Sequence, residues 1–268
     1  MLSVSLSFRA LAAGEGIGSE RFLDELHDRG VQSIEFRTVT GNQDPQTVLA
    51  AADRVWRHGM RISVHTAPRS ADTAVQDMFR PLEAVLKADR QDRIILVLHP
   101  VNGVDLFAEN LRMLDTLVRT VRQEHPCAML ALENNRFMPD RTPGDSADLV
   151  MRVIRQIDPD HAGLCFDFGH YAWVTKCWET DAPALPPEPF LSRVIHTHIH
   201  ALYRIETGYT THFPLQSGVL PLRKYIESIR GAYHGACNIE LEPERFTDLM
   251  SGEDGILGSV ELMKQYGV

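Results

Sequence analysis

Cysteine is scarce in this chain and follows no pairing pattern: Cys127, Cys165, Cys177 and Cys237 are its only thiols in 268 residues, and no CxxC occurs. Three of them sit in or beside apolar runs, so buried free thiols are expected rather than a disulfide framework. Long hydrophobic runs are missing too. The apolar run from Ile94 to Leu98 falls far short of the roughly 20 residues that a bilayer requires. The opening MLSVSLSFRALAAG has no basic leader followed by a long apolar segment, so no export is expected and a cytoplasmic location is. Nor is there a positive excess. At a net charge of −9 the chain lacks the basic surface that counterion release on nucleic acid would reward. A small-molecule substrate is expected, with neither nucleic acid nor membrane as partner. Walker, nucleophile-elbow and dinucleotide patterns are also absent, and GEGIG (14–18) has the wrong spacing for the last of these and reads as a loop.

What the sequence does contain is a regular alternation. Short apolar runs recur about every 30 residues, with amphipathic stretches between them and no low-complexity linker. The runs are SVSLSF (3–8), VQSIEF (31–36), RISVHT (61–66), RIILVLH (93–99), AMLALEN (128–134), AGLCFDF (162–168), VIHTHIH (194–200) and CNIELE (237–242). Ser19 and Gly30 bracket one helix, and DLFAENLRMLDTLVRTVRQ carries apolar residues at helical spacing. Eight such units predict a single (β/α)8 TIM barrel, class α/β, over residues 1–268. Four prolines between Asp181 and Pro189 shorten the helix of the sixth unit, and Ala201 to Gly218 reads as a long loop on the catalytic face.

Nearly every run ends in an ionisable residue: His65, His99, Glu133, Asp167, His198 and Glu240, with His170 just beyond the sixth and His212 in the long loop. Any one of these is explained by a hydrogen bond in the core. Six strands ending this way call for a shared partner, because an inward ionisable group at a barrel mouth is costly unless paired or coordinated. Divalent cations are that partner. Mixed imidazole and carboxylate suits Zn2+, Mn2+ or Fe2+ better than Mg2+, and the histidine content favours zinc, with manganese as the alternative. Strand alternation puts His196, His198 and His200 on one face, with His198 preferred as the ligand, and sets Glu240 against Glu242, with Glu240 preferred. Arg37, Arg69 and Arg136 follow strands two, three and five, where a guanidinium can clamp a phosphate or instead form a surface ion pair. Tyr171, Trp173 and Trp178 can wall a sugar ring or pack over the mouth, and Glu35 is either a supporting acid or a partner of Arg37.

The pieces VHTAP at His65, LHP at His99, LENN at Glu133, FDFGH at Asp167 and His170, HIH at His198, THFPLQSG at His212 and GACNIELEP at Glu240 resemble, in order and spacing, the xylose-isomerase-like barrels. That superfamily holds sugar isomerases and epimerases together with zinc phosphodiesterases of the endonuclease IV type. For the former, the resemblance implies one metal on Glu133, Asp167, His198 and Glu240. For the latter it implies three: His65, His99 and Glu133 for the first ion, Glu133, Asp167, His198 and Glu240 for the second, His170 and His212 for the third. The chain departs from that pattern at Thr210 and Ala201, where an aspartate is usual. Barrels of this superfamily commonly self-associate, so a homo-oligomer is a further expectation.

The surplus of ligands over the one-metal set points to a metal-dependent hydrolase of a small phosphoester, such as a sugar-phosphate diester, using two or three zinc ions. The alternative is a one-metal sugar or keto-sugar isomerase or epimerase with Glu133 and Glu240 as its acid/base pair. Cleavage of duplex DNA is disfavoured by the acidic charge and short loops, and a non-catalytic binding module by the density of ionisable groups at one mouth.

Overall fold

A computed structural model describes residues 1–101, 105–135, 147–231 and 233–268. Eight parallel strands close into a barrel: β1 (Leu2–Ser7), β2 (Ser33–Val39), β3 (Arg61–Thr66), β4 (Ile94–Leu98), β5 (Ala128–Glu133), β6 (Ala162–Asp167), β7 (Val194–Ile199) and β10 (Cys237–Ile239), the last pairing with both β7 and β1. This is the (β/α)8 architecture read from the alternation. All four cysteines are free thiols. No helix among the described residues is long and apolar enough to cross a membrane.

The helices form where the sequence supplies both an apolar stripe and a cap. Ser19 accepts a hydrogen bond from the Phe22 amide at the start of α2 (Glu20–Asp28), whose Phe22, Leu23 and Leu26 are buried, and Gly30 leaves it at φ 84°. Asp105 caps α5 (Leu106–Glu124) through the Ala108 amide, and Met113, Leu114, Leu117 and Val121 face the barrel. The first unit differs from the simple pattern, since α1 (Phe8–Ala13) begins directly after β1 and is followed by a tight turn at Gly16–Gly18. Gly18 there lies against the Ala10 backbone, where a Cβ would come within 2.2 Å. The remaining helices of the first half are α3 (Pro45–Arg57) and α4 (Ala74–Lys87).

In the second half α6 (Ala147–Ile154) precedes β6. The proline-rich sixth unit, expected to carry a shortened helix, has two short ones, α7 (Phe168–Val174) and the single turn α8 (Glu188–Leu191). The expected long loop after β7 is instead an antiparallel hairpin, β8 (Ala201–Ile205) and β9 (Gly208–Phe213), with Ala201 opposite Phe213 and Tyr203 opposite Thr210. Then come α9 (Leu222–Ile229), β10 and α10 (Gly252–Gln265).

Outward faces of the strands, including Val4, Leu6, Ile34, Phe36, Leu96, Leu98, Leu130 and Phe166, join the helices in one continuous apolar core. The inward faces are divided. Val97, Ala131 and Cys165 form a small apolar cluster with Ile95 and Ile195, whereas β1, β2, β3 and β10 contribute buried Ser3, Ser5, Ser33, Glu35, Ser63 and Asn238.

Candidate metal centre

Six C-terminal strand ends, with His170 from α7 and His212 from β9, deliver eight ionisable side chains to one place. Glu133, fully buried at the end of β5, is the hub. Its Oε2 lies 3.1 Å from His65 Nε2, from His99 Nε2 and from His198 Nδ1, and its Oε1 lies 3.3 Å from His170 Nδ1. His198 is a second hub. Besides Glu133, its Nδ1 meets Glu240 Oε2 at 3.3 Å and Asp167 Oδ2 at 4.0 Å, so three carboxylates converge on one ring nitrogen.

One proton cannot satisfy so many partners. Glu133 Oε1, His99 Nε2 and both ring nitrogens of His198 are buried without a hydrogen bond of good geometry. Carboxylates packed this closely repel unless a cation lies among them. Burial disfavours the charged form of Glu133, yet the imidazoles of His99, His198 and His170 outweigh it and hold the carboxyl well below its usual range. Glu240 is likewise held low against burial by His198 and His212, and Asp167 by His170 and His200. The converse holds for the rings. Burial opposes charge on His65, His170 and His198, and the surrounding carboxylates overcome it and raise all three. Potential that gathers protons onto imidazoles also gathers divalent metal, so the donor set fits such an ion. His65 Nδ1–H donates to the Thr66 carbonyl at 3.2 Å, so Nε2, 3.1 Å from Glu133 Oε2, is the nitrogen that would exchange its proton for a metal.

Two neighbours orient the centre from opposite directions. Below it, Glu35 Oε1 lies 2.9 Å from His198 Nε2, which turns Nδ1 toward the carboxylates. Glu35 also accepts from Ser5 and Asn238 on Oε1, and from Ser63 and His196 on Oε2. Burial alone would raise its carboxyl, and the His198 and His196 imidazoles outweigh it and hold the carboxyl low. Beside the centre, the His212 amide donates to His200 Nδ1 at 3.0 Å, so His200 carries its proton on Nε2 and gives it to Asp167 at 3.2 Å. Asn134 clamps the Asp167 backbone with both halves of its amide, and the His170 amide donates to Asp167 Oδ1 at 2.6 Å. Glu35 is thus tied to His198 and not to Arg37, and His200 serves Asp167.

His212 stands apart. Burial and the neighbouring His200 push its ring down to about 3, so it is neutral, and its backbone takes a φ of 66° in β9. Thr210 turns toward Arg245, with an Nη1–Oγ1 hydrogen bond of 3.3 Å, and so adds no ligand beside His170 and His212.

The centre floors a cavity of about 510 Å3. Arg37 lines it, fixed by the Leu241 carbonyl at 2.8 Å and Glu244 at 3.1 Å. The other proposed substrate contacts lie elsewhere. Arg69 is 76% exposed and ion-paired with Asp77 at 2.7 Å, outside the cavity lining. Tyr171 packs edge-on against Phe166 and Tyr225. Trp173 donates to the Tyr209 carbonyl and Trp178 stacks on the Tyr209 ring, so both tryptophans brace the hairpin instead of walling the cavity. Arg136 lies outside the described residues. Glu240 points into the centre while Glu242 pairs with Arg245. Sequence reasoning missed Arg9, Thr38 and Gln43, which line the mouth after β1 and β2. Position after a strand was the available signal for Arg9. Thr38 is brought there by a register shift in β2 and a φ of 63°, which no pattern announces.

Known proteins bear on this arrangement in three ways. A search of curated proteins finds no sequence match. Among solved structures, a sugar phosphate isomerase/epimerase from Parabacteroides distasonis superposes with a TM-score of 0.66 at 11% identity, covering 97% of this chain and 95% of that one. L-ribulose 3-epimerase gives 0.63 at 13%, covering 99% and 93%. The IolI protein, determined with a binding zinc atom, gives 0.62 at 14%, covering 99% and 98%. These likenesses are of fold. The family described as xylose isomerase-like TIM barrel matches residues 23–266, nearly the whole length over which strands and ligands recur, and the chain belongs to that family.

Proposed function

We propose that the chain is a divalent-metal-dependent isomerase or epimerase of a sugar or sugar phosphate. The observation that carries this reading is the convergence of Glu133, Asp167 and Glu240 on His198 Nδ1 within 4.0 Å, one four-residue ligand set at the floor of one cavity. Ser7, Gln43, Asn135 and several charged groups line that cavity, and among the described residues Phe8 is its one apolar wall, a surface suited to hydroxyls. Neighbours of the same fold that act on sugars support it, and the zinc of the IolI structure supports a metal.

A cation held by these four residues would polarise a carbonyl and the hydroxyl beside it, making the intervening C–H acidic. Glu133 and Glu240, both held in the carboxylate form, are then the proton carriers. One takes the proton from carbon, leaving an enediolate. For an epimer the other carboxylate first takes a proton from a substrate hydroxyl and delivers it to the opposite face of the same carbon, while the first returns its proton to that oxygen; return by the first to the neighbouring carbon with an O–H shift gives an aldose–ketose pair. Arg37 and Arg9 at the mouth orient the far end of the substrate.

Hydrolysis of a phosphoester is the second reading, and a specific observation favours it: His65, His99 and Glu133 form a further ligand group within 4.8 Å, as do Asp167, His170, His200 and His212. The His200 hydrogen bonds, which commit its Nε2–H to Asp167, weaken the latter group. The His65→Ala variant separates the two readings. An epimerase keeps one equivalent of Mn2+ or Zn2+ and interconverts ketoses, whereas a hydrolase loses a metal equivalent and its release of nitrophenol from p-nitrophenyl phosphodiesters. Nitrophenol release by the parent chain that vanishes in the variant, without ketose turnover in either, would overturn the epimerase.

A further inference from the structure

The opposite end of the barrel holds a hollow that the metal centre does not explain. It measures about 380 Å3 and opens among the N-terminal ends of β2, β3, β4 and β7 and the turn before β10. Arg61, Arg93 and His234 stand exposed on its rim, and no acidic side chain among the described residues lines it. Neither guanidinium nor the His234 ring has a hydrogen-bond or ion-pair partner among the described residues. In a chain of net charge −9, two arginines without a carboxylate partner among the described residues flank this one opening.

Inward, past Ile95 and Met129, the hollow reaches Ser63 and His196 in the middle of the barrel. His196 is 1% exposed. Its Nε2–H is committed to Glu35 Oε2 at 2.9 Å, so Nδ1 is a bare acceptor, and that buried atom has no partner. A ring in this tautomer has no proton to give there, and only a donor can satisfy it. The hollow therefore offers cations at its rim and an acceptor at its floor.

We propose that this hollow is a second ligand site, for a small hydroxylated anion. The anionic group sits on Arg61 and Arg93, whose planar forks match phosphate or carboxylate oxygens, and a hydroxyl donates to His196 Nδ1. Because it opens on the face away from the catalytic mouth, its occupant does not compete with substrate. A hydrogen bond to His196, the His196 bond to Glu35 and the 2.9 Å contact of Glu35 with His198 Nε2 would link the occupant to the His198 ring.

Isothermal titration of the whole chain with inorganic phosphate, glycerol 3-phosphate and glycerate tests the proposal. Saturable binding is expected, tighter for whichever hydroxylated anion fits than for phosphate alone, and that preference names the anionic group. Arg61→Ala and Arg93→Ala change exposed side chains and should each weaken binding by about tenfold, the loss of one charge-assisted hydrogen bond. Binding that survives both substitutions but disappears in Arg9→Ala would belong to the catalytic mouth and overturn the proposal. No saturable binding at millimolar concentration would overturn it as well, and indifference to the hydroxyl would remove His196 from the site.

Discussion

Glu35→Gln removes one charge from beneath the metal centre while keeping size and shape. In the native chain both carboxylate oxygens accept: Ser5, Asn238 and His198 face Oε1, and Ser63 and His196 face Oε2. A glutamine amide NH2 placed toward Oε1 meets the Asn238 N–H donor to donor, and one placed toward Oε2 meets the His196 N–H, which gives way only by moving its proton to the buried, unpartnered Nδ1; Ser5 and Ser63 can rotate to accept. A buried donor left unpaired costs about 1–3 kcal/mol, which for a chain of this size lowers Tm by roughly 2–4 °C per kcal/mol. The effect on metal is separate. An imidazole backed by a carboxylate is a more basic and better oriented ligand, and loss of such a partner weakens metal binding by about 10–100-fold, or roughly 1.4–2.7 kcal/mol. Competition with a chromophoric chelator gives the Mn2+ or Zn2+ Kd, and calorimetry of the metal-free protein gives the Tm. A variant that melts lower yet binds metal with native affinity would refute the idea that Glu35 orients His198. So would a metal-soaked crystal in which His198 Nε2, and not Nδ1, meets the ion.

Gly169→Ala should act on the other flank, because a Cβ there would stand 1.9 Å from His200 Cε1 and 2.2 Å from its Nδ1. The ring must leave Asp167, at an overpacking cost of about 1–3 kcal/mol that exceeds the roughly 1 kcal/mol alanine gains in a helix; a Tm and metal Kd both unchanged would contradict this. The pH dependence of the metal-free protein follows from the raised His65, His170 and His198. Their stabilising contribution is complete below the ordinary imidazole value of 6.5 and is lost as pH rises through the higher folded values, so metal-free Tm should fall above neutrality. Metal must displace those same protons, so its affinity should keep rising over that range, and a Kd independent of pH between 6 and 9 on the order of a protein's working range would count against the assigned ligands. At acid pH the depressed Glu133, Asp167 and Glu240 give the opposite slope, with stability lost as they protonate.

The barrel and the location of the centre were legible in the sequence for the same reason. A strand alternates its faces, and a parallel barrel collects every C-terminal strand end at one mouth, so His65, Glu133, Asp167 and Glu240 could be read as neighbours across 175 residues. What such reading cannot supply is how a side chain is held. Arg69 follows its strand as well as Arg37 does, but Asp77, eight residues on in α4, takes its guanidinium. Trp173 and Trp178 look like a sugar platform until the hairpin arrives to cover them, and that hairpin was hidden because GYTTH alternates too briefly to be told from a loop. The choice between Glu35 as support and Glu35 as a partner of Arg37 turned on depth alone. Arg37 lies at the mouth and Glu35 one strand step below, facing His198.

That depth explains the composition of the barrel interior. Most closed barrels fill it with bulky branched side chains, and here the β4–β6 side still does, with Val97 and Ile95. On the β1–β3 and β10 side the positions are Ser3, Ser5, Ser33, Ser63 and Asn238. Valine or isoleucine in place of Ser5, Ser63 or Asn238 would remove a donor and leave Glu35 leaning on its two imidazoles, and a buried carboxylate short of donors ionises less readily and holds His198 less firmly. Small polar residues therefore give up interior hydrophobic burial to keep one charge in place beneath the metal. The stability they forgo must come from the shell between strands and helices, where Leu6, Ile34, Leu98, Leu130 and Phe166 are all fully buried. Conservative changes to the inner serines should accordingly register in metal affinity before they register in folding, whereas truncations in the outer shell should do the reverse.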